Sequence, residues 1–201
     1  MHAQAVIHEH GLPGLTMRRL AERAGFTEAA LYRHFSGKQE LLQMLMSALG
    51  QRLLGPIREL AADESLPPRE RIRAILRHHV NLVLDSDGLP LLIVVEATTS
   101  GDEPMLKLLR RTMGEYIGHL EGLIGELREA SAGAAGEMPD PAGLGLLLLG
   151  LVAASALRLR LLPDADLERQ ARGELVDYLV DHLLSTAHNP SPQEGEKAEE
   201  R

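Results

Sequence analysis

The sequence predicts an all-α fold of about nine helices, with a small N-terminal three-helix unit ahead of a larger C-terminal helical bundle. Apolar residues recur at three- and four-residue spacing along most of the 201 residues, which is the period of one helical face. Hydrophobic residues make up 44% of the chain, yet there are only two Phe, three Tyr and no Trp. The core is therefore Leu, Val, Ile, Ala and Met, a mixture that suits helices. One stretch, LPLLIVVEATT at Leu89–Thr99, is β-branched enough for a buried strand, but no partner strand exists elsewhere.

Residues 1–11 form the first helix, with Ala3, Val6 and Ile7 facing inward and Gly11 closing it. Thr16 caps the second, since its hydroxyl can accept from backbone N–H groups that lack intrahelical partners. Met17, Leu20, Ala21 and Ala24 make its apolar stripe. Gly25 stops it, because a chain leaving through the left-handed conformation needs a residue without a Cβ. Thr27 caps the third helix, and Leu31 and Phe35 are expected to face inward together with Phe26. Ser36 and Gln39 have the spacing of a capping box for the fourth. That helix runs through Leu41, Leu42, Leu45, Met46, Leu49 and Leu53, and Gly55-Pro56 is placed to bend or interrupt it.

Pro67-Pro68 opens the fifth helix, which carries Ile72, Ile75, Leu76, His79, Val80 and Val83 on one face. The cluster Asp85-Ser86-Asp87-Gly88 ends it, and Leu89–Thr99 follows as a buried sixth helix. Pro104 begins a long seventh, with Met105, Leu109, Met113, Tyr116, Leu120, Leu123 and Leu127 near a 3.5-residue period. Small residues from Ala130 to Gly136 make a linker. Asp140 caps and Pro141 starts the eighth helix. Its apolar run ends at Leu157, short of the ~20 residues of a bilayer span, so no membrane partner is expected. Gly150, Ala153 and Ala154 on one face would let another helix approach closely. Leu167 to Leu184 is the ninth, with Leu175, Val176, Leu179, Val180, Leu183 and Leu184 as its stripe. From His188 the Pro-, Glu- and Lys-rich tail is expected to be disordered. The division is thus a head at 1–46, a body at 47–187 and a tail at 188–201.

The net charge of −8 is unevenly spread. Residues 1–40 carry five Lys/Arg against four Asp/Glu, a net +1, and the remainder carries sixteen against twenty-five, a net −9. The acidic excess lies outside the head; local basic groups bind phosphate, while a distant acidic body mostly restrains non-specific sticking beyond a Debye length of roughly 8 Å. Zero cysteines excludes disulfides, thiolate metal sites and cysteine nucleophiles, and is compatible with a reducing cytoplasm. The start MHAQAVIHEHG lacks the features of a signal peptide, so a cytoplasmic location is expected. No Gly-rich phosphate loop, G-x-S-x-G elbow or H-E-x-x-H occurs; neither enzymatic activity nor a cofactor is expected. His78, His79 and His119 do not make a metal site, because adjacent helical residues point about 100° apart.

The two threonine-capped helices around Gly25 form a helix-turn-helix. Its second helix leaves Glu28, Ala29, Arg33 and His34 outward, with Tyr32 at the edge, and such a helix fits a DNA major groove about 12 Å wide. Arg33, His34 and Glu28 can offer donors or an acceptor to base edges, while Ala29 permits close approach to a thymine methyl. Thr27, Tyr32 and Lys38 are better placed for phosphates, and Arg18 could reach either. Lys38 opposes the dipole of the fourth helix, and a phosphate would supply the reason for a cation there.

The run TMRRLAERAGFTEAALYRHFSGK, with its A-G-x-T turn, L-Y-x-H-F run and a lysine three residues after that Phe, resembles the DNA-binding head of the tetracycline-repressor (TetR/AcrR) family over roughly residues 3–50. Members of that family usually carry a longer first helix preceded by basic residues, an arm absent from these 201 residues: either the start lies upstream, or fewer backbone contacts than usual are expected. The resemblance implies DNA contacts by Arg18, Tyr32, His34 and Lys38. It also implies a homodimer through the last two helices, set on a palindromic double-stranded operator with heads roughly 34–36 Å apart. The body would then hold a small-molecule effector. His79 on an apolar stripe, Glu96 within an apolar helix, and Met113 and Tyr116 on the long helix are the candidate ligand residues. An aliphatic lining favours a lipophilic effector over a cation in an aromatic cage. The expectation is a transcriptional repressor released by that ligand; the alternative is the same head controlled by a protein partner or by no ligand.

Overall fold

The computed structural model describes residues 2–130, 140–161, 170 and 172–184. Among them are nine helices and no strand: α1 (His2–His10), α2 (Met17–Ala24), α3 (Glu28–Tyr32), α4 (Lys38–Ala62), α5 (Pro68–Asp85), α6 (Leu89–Thr99), α7 (Glu103–Ala130), α8 (Pro141–Leu161) and α9 (Glu174–Leu183). The all-α expectation holds, and Leu89–Thr99 is a helix with Leu89, Ile93 and Ala97 buried. The small-residue linker from 131 onward, residues 167–169 and 171 of the expected last helix, and the tail from 188 lie outside the described residues.

Local chemistry sets the head. Thr16 Oγ1 accepts from the Arg19 N–H at 3.2 Å, and Thr27 Oγ1 accepts from the Ala30 N–H at 3.2 Å. Between them Gly25 sits in the left-handed region at φ 73°. Three expectations need correction. Phe26 is 62% exposed rather than inward: the left-handed turn ties its N–H to the Ala21 carbonyl at 3.0 Å and leaves the ring on the surface. The capping box is offset by one residue. Gly37 precedes the first turn of α4, and the Glu40 carboxylate accepts from the Ser36 N–H at 2.6 Å. A carboxylate outcompetes the Gln39 amide as an acceptor, and that bond lowers the Glu40 pKa. Finally, α4 runs uninterrupted through Gly55-Pro56. Leu53, Leu54 and Ile57 on either side are buried, and their burial outweighs the ~3 kcal/mol a mid-helix proline costs.

Two apolar cores result. The body core gathers Ile57 from α4, Ile72 and Leu76 from α5, Tyr116 and Leu120 from α7, Leu148 from α8 and Val180 from α9. The head core joins Val6, Leu15, Leu20, Leu31 and Leu42, and runs on into Ile93 of α6 and Met105 and Leu109 of α7. Helix α4 passes from one core to the other. Its head end is tied to α7 by Gln43, whose amide donates to Asp102 at 3.2 Å; Asp102 also caps α7 by accepting from the Met105 N–H at 2.8 Å. At the opposite end Arg71 is buried, donates to the Ala61 carbonyl at 2.9 Å and pairs with Glu126. Arg73 bridges Asp177 and Asp181 at 3.1 and 2.6 Å, pinning α9 to α5.

Candidate functional site

The outer face of the head carries the expected DNA-contacting side chains. Glu28, Ala29, Tyr32, Arg33 and His34 are all exposed, Tyr32 by 52%. Helix α3 is only five residues long. Arg33 and His34 follow its end, held by the His34 and Phe35 N–H groups, which both donate to the Leu31 carbonyl at 2.9 Å. Leu31 is buried beneath them, so the turn is anchored on one side and open on the other. Among the described residues no side chain pairs with Arg33 or His34, which leaves their donors available. Arg18 on α2 is exposed and pairs with Glu22 at 2.9 Å. Thr27 is engaged as a cap, so its hydroxyl oxygen is already used, while its hydroxyl proton can still be donated.

Lys38 differs from expectation in its partner. Its ammonium donates to the Leu12 carbonyl at 2.9 Å. The cation at the start of α4 thus has an internal reason, stitching the loop after α1 to the fourth helix. One of its three N–H groups is used this way, and the other two stay available.

A second site lies in the body. A cavity of about 210 Å³ opens between α4, α5, α6, α7 and α8. Its wall is almost wholly aliphatic and includes Met46, Leu53, Val83, Ile93, Met113 and Leu149; His79 and Thr112 are its polar side chains among the described residues. Of the four candidate ligand residues, His79 and Met113 line it. Tyr116 stands just outside, edge-on to His79 with ring centroids 4.9 Å apart. Glu96 is half-buried on α6 and is not part of the wall. Thr112 was missed by sequence reasoning; its signal was a polar residue on the buried stripe of α7, between Leu109 and Tyr116. Gly50 faces it, and a Cβ there would come within 3.2 Å of Thr112 Oγ1, so a larger residue would make the Thr112 side chain give way.

His79 Nδ1 and Tyr116 Oη are buried without a hydrogen-bond partner. Burial, aided by the neighbouring charge of His78, lowers the His79 pKa to about 4, and burial raises that of Tyr116. Because the unfolded imidazole titrates near 6.5, the unfolded chain takes up a proton that the folded one refuses as pH falls from 6.5 towards 4. Stability is therefore full above pH 6.5 and is expected to fall across that window by about 3 kcal/mol. Thermal denaturation of wild type and His79→Phe between pH 7 and 4 checks this, since the variant should lose that part of the slope. Tyr116→Phe deletes an unpaired buried hydroxyl, and is expected to be neutral or stabilising by about 1 kcal/mol in chemical denaturation.

Helix α8 also presents an apolar face to solvent. Leu146, Leu147, Leu157 and Leu161 are 67%, 60%, 49% and 67% exposed, with exposed Gly150, Ala153 and Ala154 between them. On α9, Tyr178 is exposed and stacks on His182 with ring centroids 3.9 Å apart. No helix among the described residues is long and apolar enough to cross a membrane.

Comparison with known proteins bears on both sites. Residues 2–45 match the family model for bacterial regulatory proteins of the tetR family. Over 93 residues the chain is 31% identical to the HTH-type transcriptional repressor KstR2 of Mycobacterium tuberculosis, covering 42% of this chain and 46% of that protein. Over 78 residues it is 35% identical to the nucleoid occlusion factor SlmA of Vibrio vulnificus, covering 37% and 39%. The match thus spans a little under half the length of these relatives. Solved structures agree over nearly the whole fold. The tetR-family regulator PfmR of Thermus thermophilus superposes with a TM-score of 0.74 at 20% identity, over 89% of this chain and 94% of that one. AibR in complex with isovaleryl coenzyme A and operator DNA superposes with a TM-score of 0.66 at 21% identity, over 92% and 96%.

Proposed function

From the chain's membership of the tetR family of bacterial transcriptional regulators, we propose that it is a homodimeric repressor of the cytoplasm that a small lipophilic ligand releases from a palindromic operator. Glu28, Ala29, Arg33 and His34 read base edges, and Arg18, Thr27, Tyr32 and Lys38 hold the flanking phosphates. Helices α8 and α9 pair with their copies in a second subunit, burying the leucines of α8. The head at 1–46 is one unit, and the body from 47 to 187 is the ligand-binding and dimerising one.

The observation that carries ligand control is shared packing. Met46, Ile93 and Leu109 belong to the head core and also line the body cavity. A ligand filling the cavity cannot move those side chains without disturbing the seat of the head. It shifts the equilibrium only in so far as it binds the released geometry more tightly; a shift of 1–3 kcal/mol corresponds to about 5–150-fold.

Operator fragments selected from genomic DNA, followed by titration of cavity-binding compounds in a gel-shift assay, test this. A true effector is expected to weaken operator binding about 5–150-fold. Operator affinity unmoved by every compound that fills the cavity would instead favour control by a protein partner or by none. The similarity to SlmA, whose name is nucleoid occlusion factor, keeps that second reading in view.

A further inference from the structure

The polar chemistry of the body cavity is sparse enough to define its ligand. His79 is 7% exposed, lines the cavity and has Nδ1 unpaired; one ring away Tyr116 Oη is also unpaired. His79 is the one polar ring in the wall among the described residues, with Tyr116 packed edge-on behind it and outside the wall, so a ligand's polar atom placed on that side of the cavity meets a neutral imidazole. Thr112 adds a hydroxyl on the α7 side. No charged side chain lines the wall among the described residues, and desolvating an unpaired charge costs far more than desolvating a neutral group.

Size narrows the choice further. An enclosed apolar cavity of roughly 150 Å³ takes benzene, so the walled 210 Å³ here surrounds on the order of eight or nine non-hydrogen atoms. Resting on the ligand-controlled reading above, we propose that this cavity binds a small uncharged aliphatic molecule with a single oxygen, of the alcohol or ketone class. Its oxygen lies against the His79 imidazole and its chain along Met46, Met113 and Leu149. A neutral imidazole can accept from a hydroxyl or donate to a carbonyl, but it brings no positive charge to meet a carboxylate. Burial keeps the ring neutral at physiological pH. A coenzyme A thioester, the ligand in the AibR complex, carries phosphates for which the wall has no cationic side chain among the described residues.

The test is methionine-methyl NMR on the full chain, since Met46 and Met113 report from the cavity wall. The probes are 1-heptanol, heptanoate, heptane and isovaleryl coenzyme A. Heptanol is expected to shift both methyls saturably and to bind at least about tenfold more tightly than heptanoate or the thioester. In His79→Phe, heptanol affinity should fall about tenfold, the order of one hydrogen bond, while heptane affinity stays put and shows the cavity intact. Heptanoate or isovaleryl coenzyme A binding as well as heptanol would overturn the proposal, as would a His79→Phe variant that binds heptanol undiminished. Should that variant not fold, the ranking on wild type decides alone. Operator release is read on the same samples. Heptanol that occupies the cavity without loosening DNA would refute ligand release and leave this assignment of the cavity standing.

Discussion

Leu147→Glu on α8 is expected to leave the protein monomeric and to lower its operator affinity by more than about 100-fold at nanomolar protein, because linkage of two sites contributes about 10²–10⁴ to apparent affinity. The exposed residues Leu146, Leu147, Gly150, Ala153, Ala154, Leu157 and Leu161 fall within about 120° of arc at 100° per residue. They form one continuous stripe of apolar and small side chains. Four leucines at 49–67% exposure on one helix face exceed the scattering of single apolar residues a monomer surface normally shows. A carboxylate buried on such a face, without a counter-charge, opposes association strongly. Leu147 is 60% exposed in the isolated subunit and is not part of the cavity wall. Thermal stability of the monomer and methyl shifts on ligand binding should therefore survive the change. Sedimentation velocity reads the outcome: a variant that still sediments as a dimer removes α8 from the interface.

What the sequence made legible, and what it did not, follows from where the determining chemistry lies. Thr16, Gly25 and Thr27 act on backbone groups within three or four residues of themselves, so the helix-turn-helix could be placed from composition at those positions. The fate of Phe26 depends on the direction in which the chain leaves Gly25, and hydrophobicity alone pointed the wrong way. The offset from Gln39 to Glu40 turns on competition between two neighbouring acceptors, which spacing rules do not rank. Lys38 found its partner in Leu12, 26 residues earlier, a contact that no local pattern encodes. Periodicity placed His79, Met113 and Tyr116 on inward faces. It could not say which inward faces meet an opening, so Thr112 went unnoticed and Glu96 was grouped with residues it does not join. The same limit applies to α8, whose uniformly apolar sequence hid which leucines pack inside and which stay outside.

Arg33→Ala is expected to cost about 1–3 kcal/mol of operator binding per half-site and to relax the preference for one base pair. The geometry supports a base-reading role. Arg33 sits at the end of α3, exposed and without a side-chain partner among the described residues. Its turn is anchored through the buried Leu31, so the guanidinium has no internal bond to give up when it meets a guanine. Lys38→Gln provides the contrast. A phosphate contact carries no sequence information, so affinity should drop alike on all operator variants, and the salt slope should diminish by about one per head. Because Lys38 also donates to the Leu12 carbonyl, glutamine is the informative replacement: its amide can still reach an acceptor, whereas alanine would add a folding defect to the loss of charge. Binding measured on a panel of single-base operator variants at two salt concentrations separates the two roles. Were Arg33→Ala to weaken every operator equally and shift the salt slope, Arg33 would be a phosphate ligand and base reading would pass to His34 and Glu28.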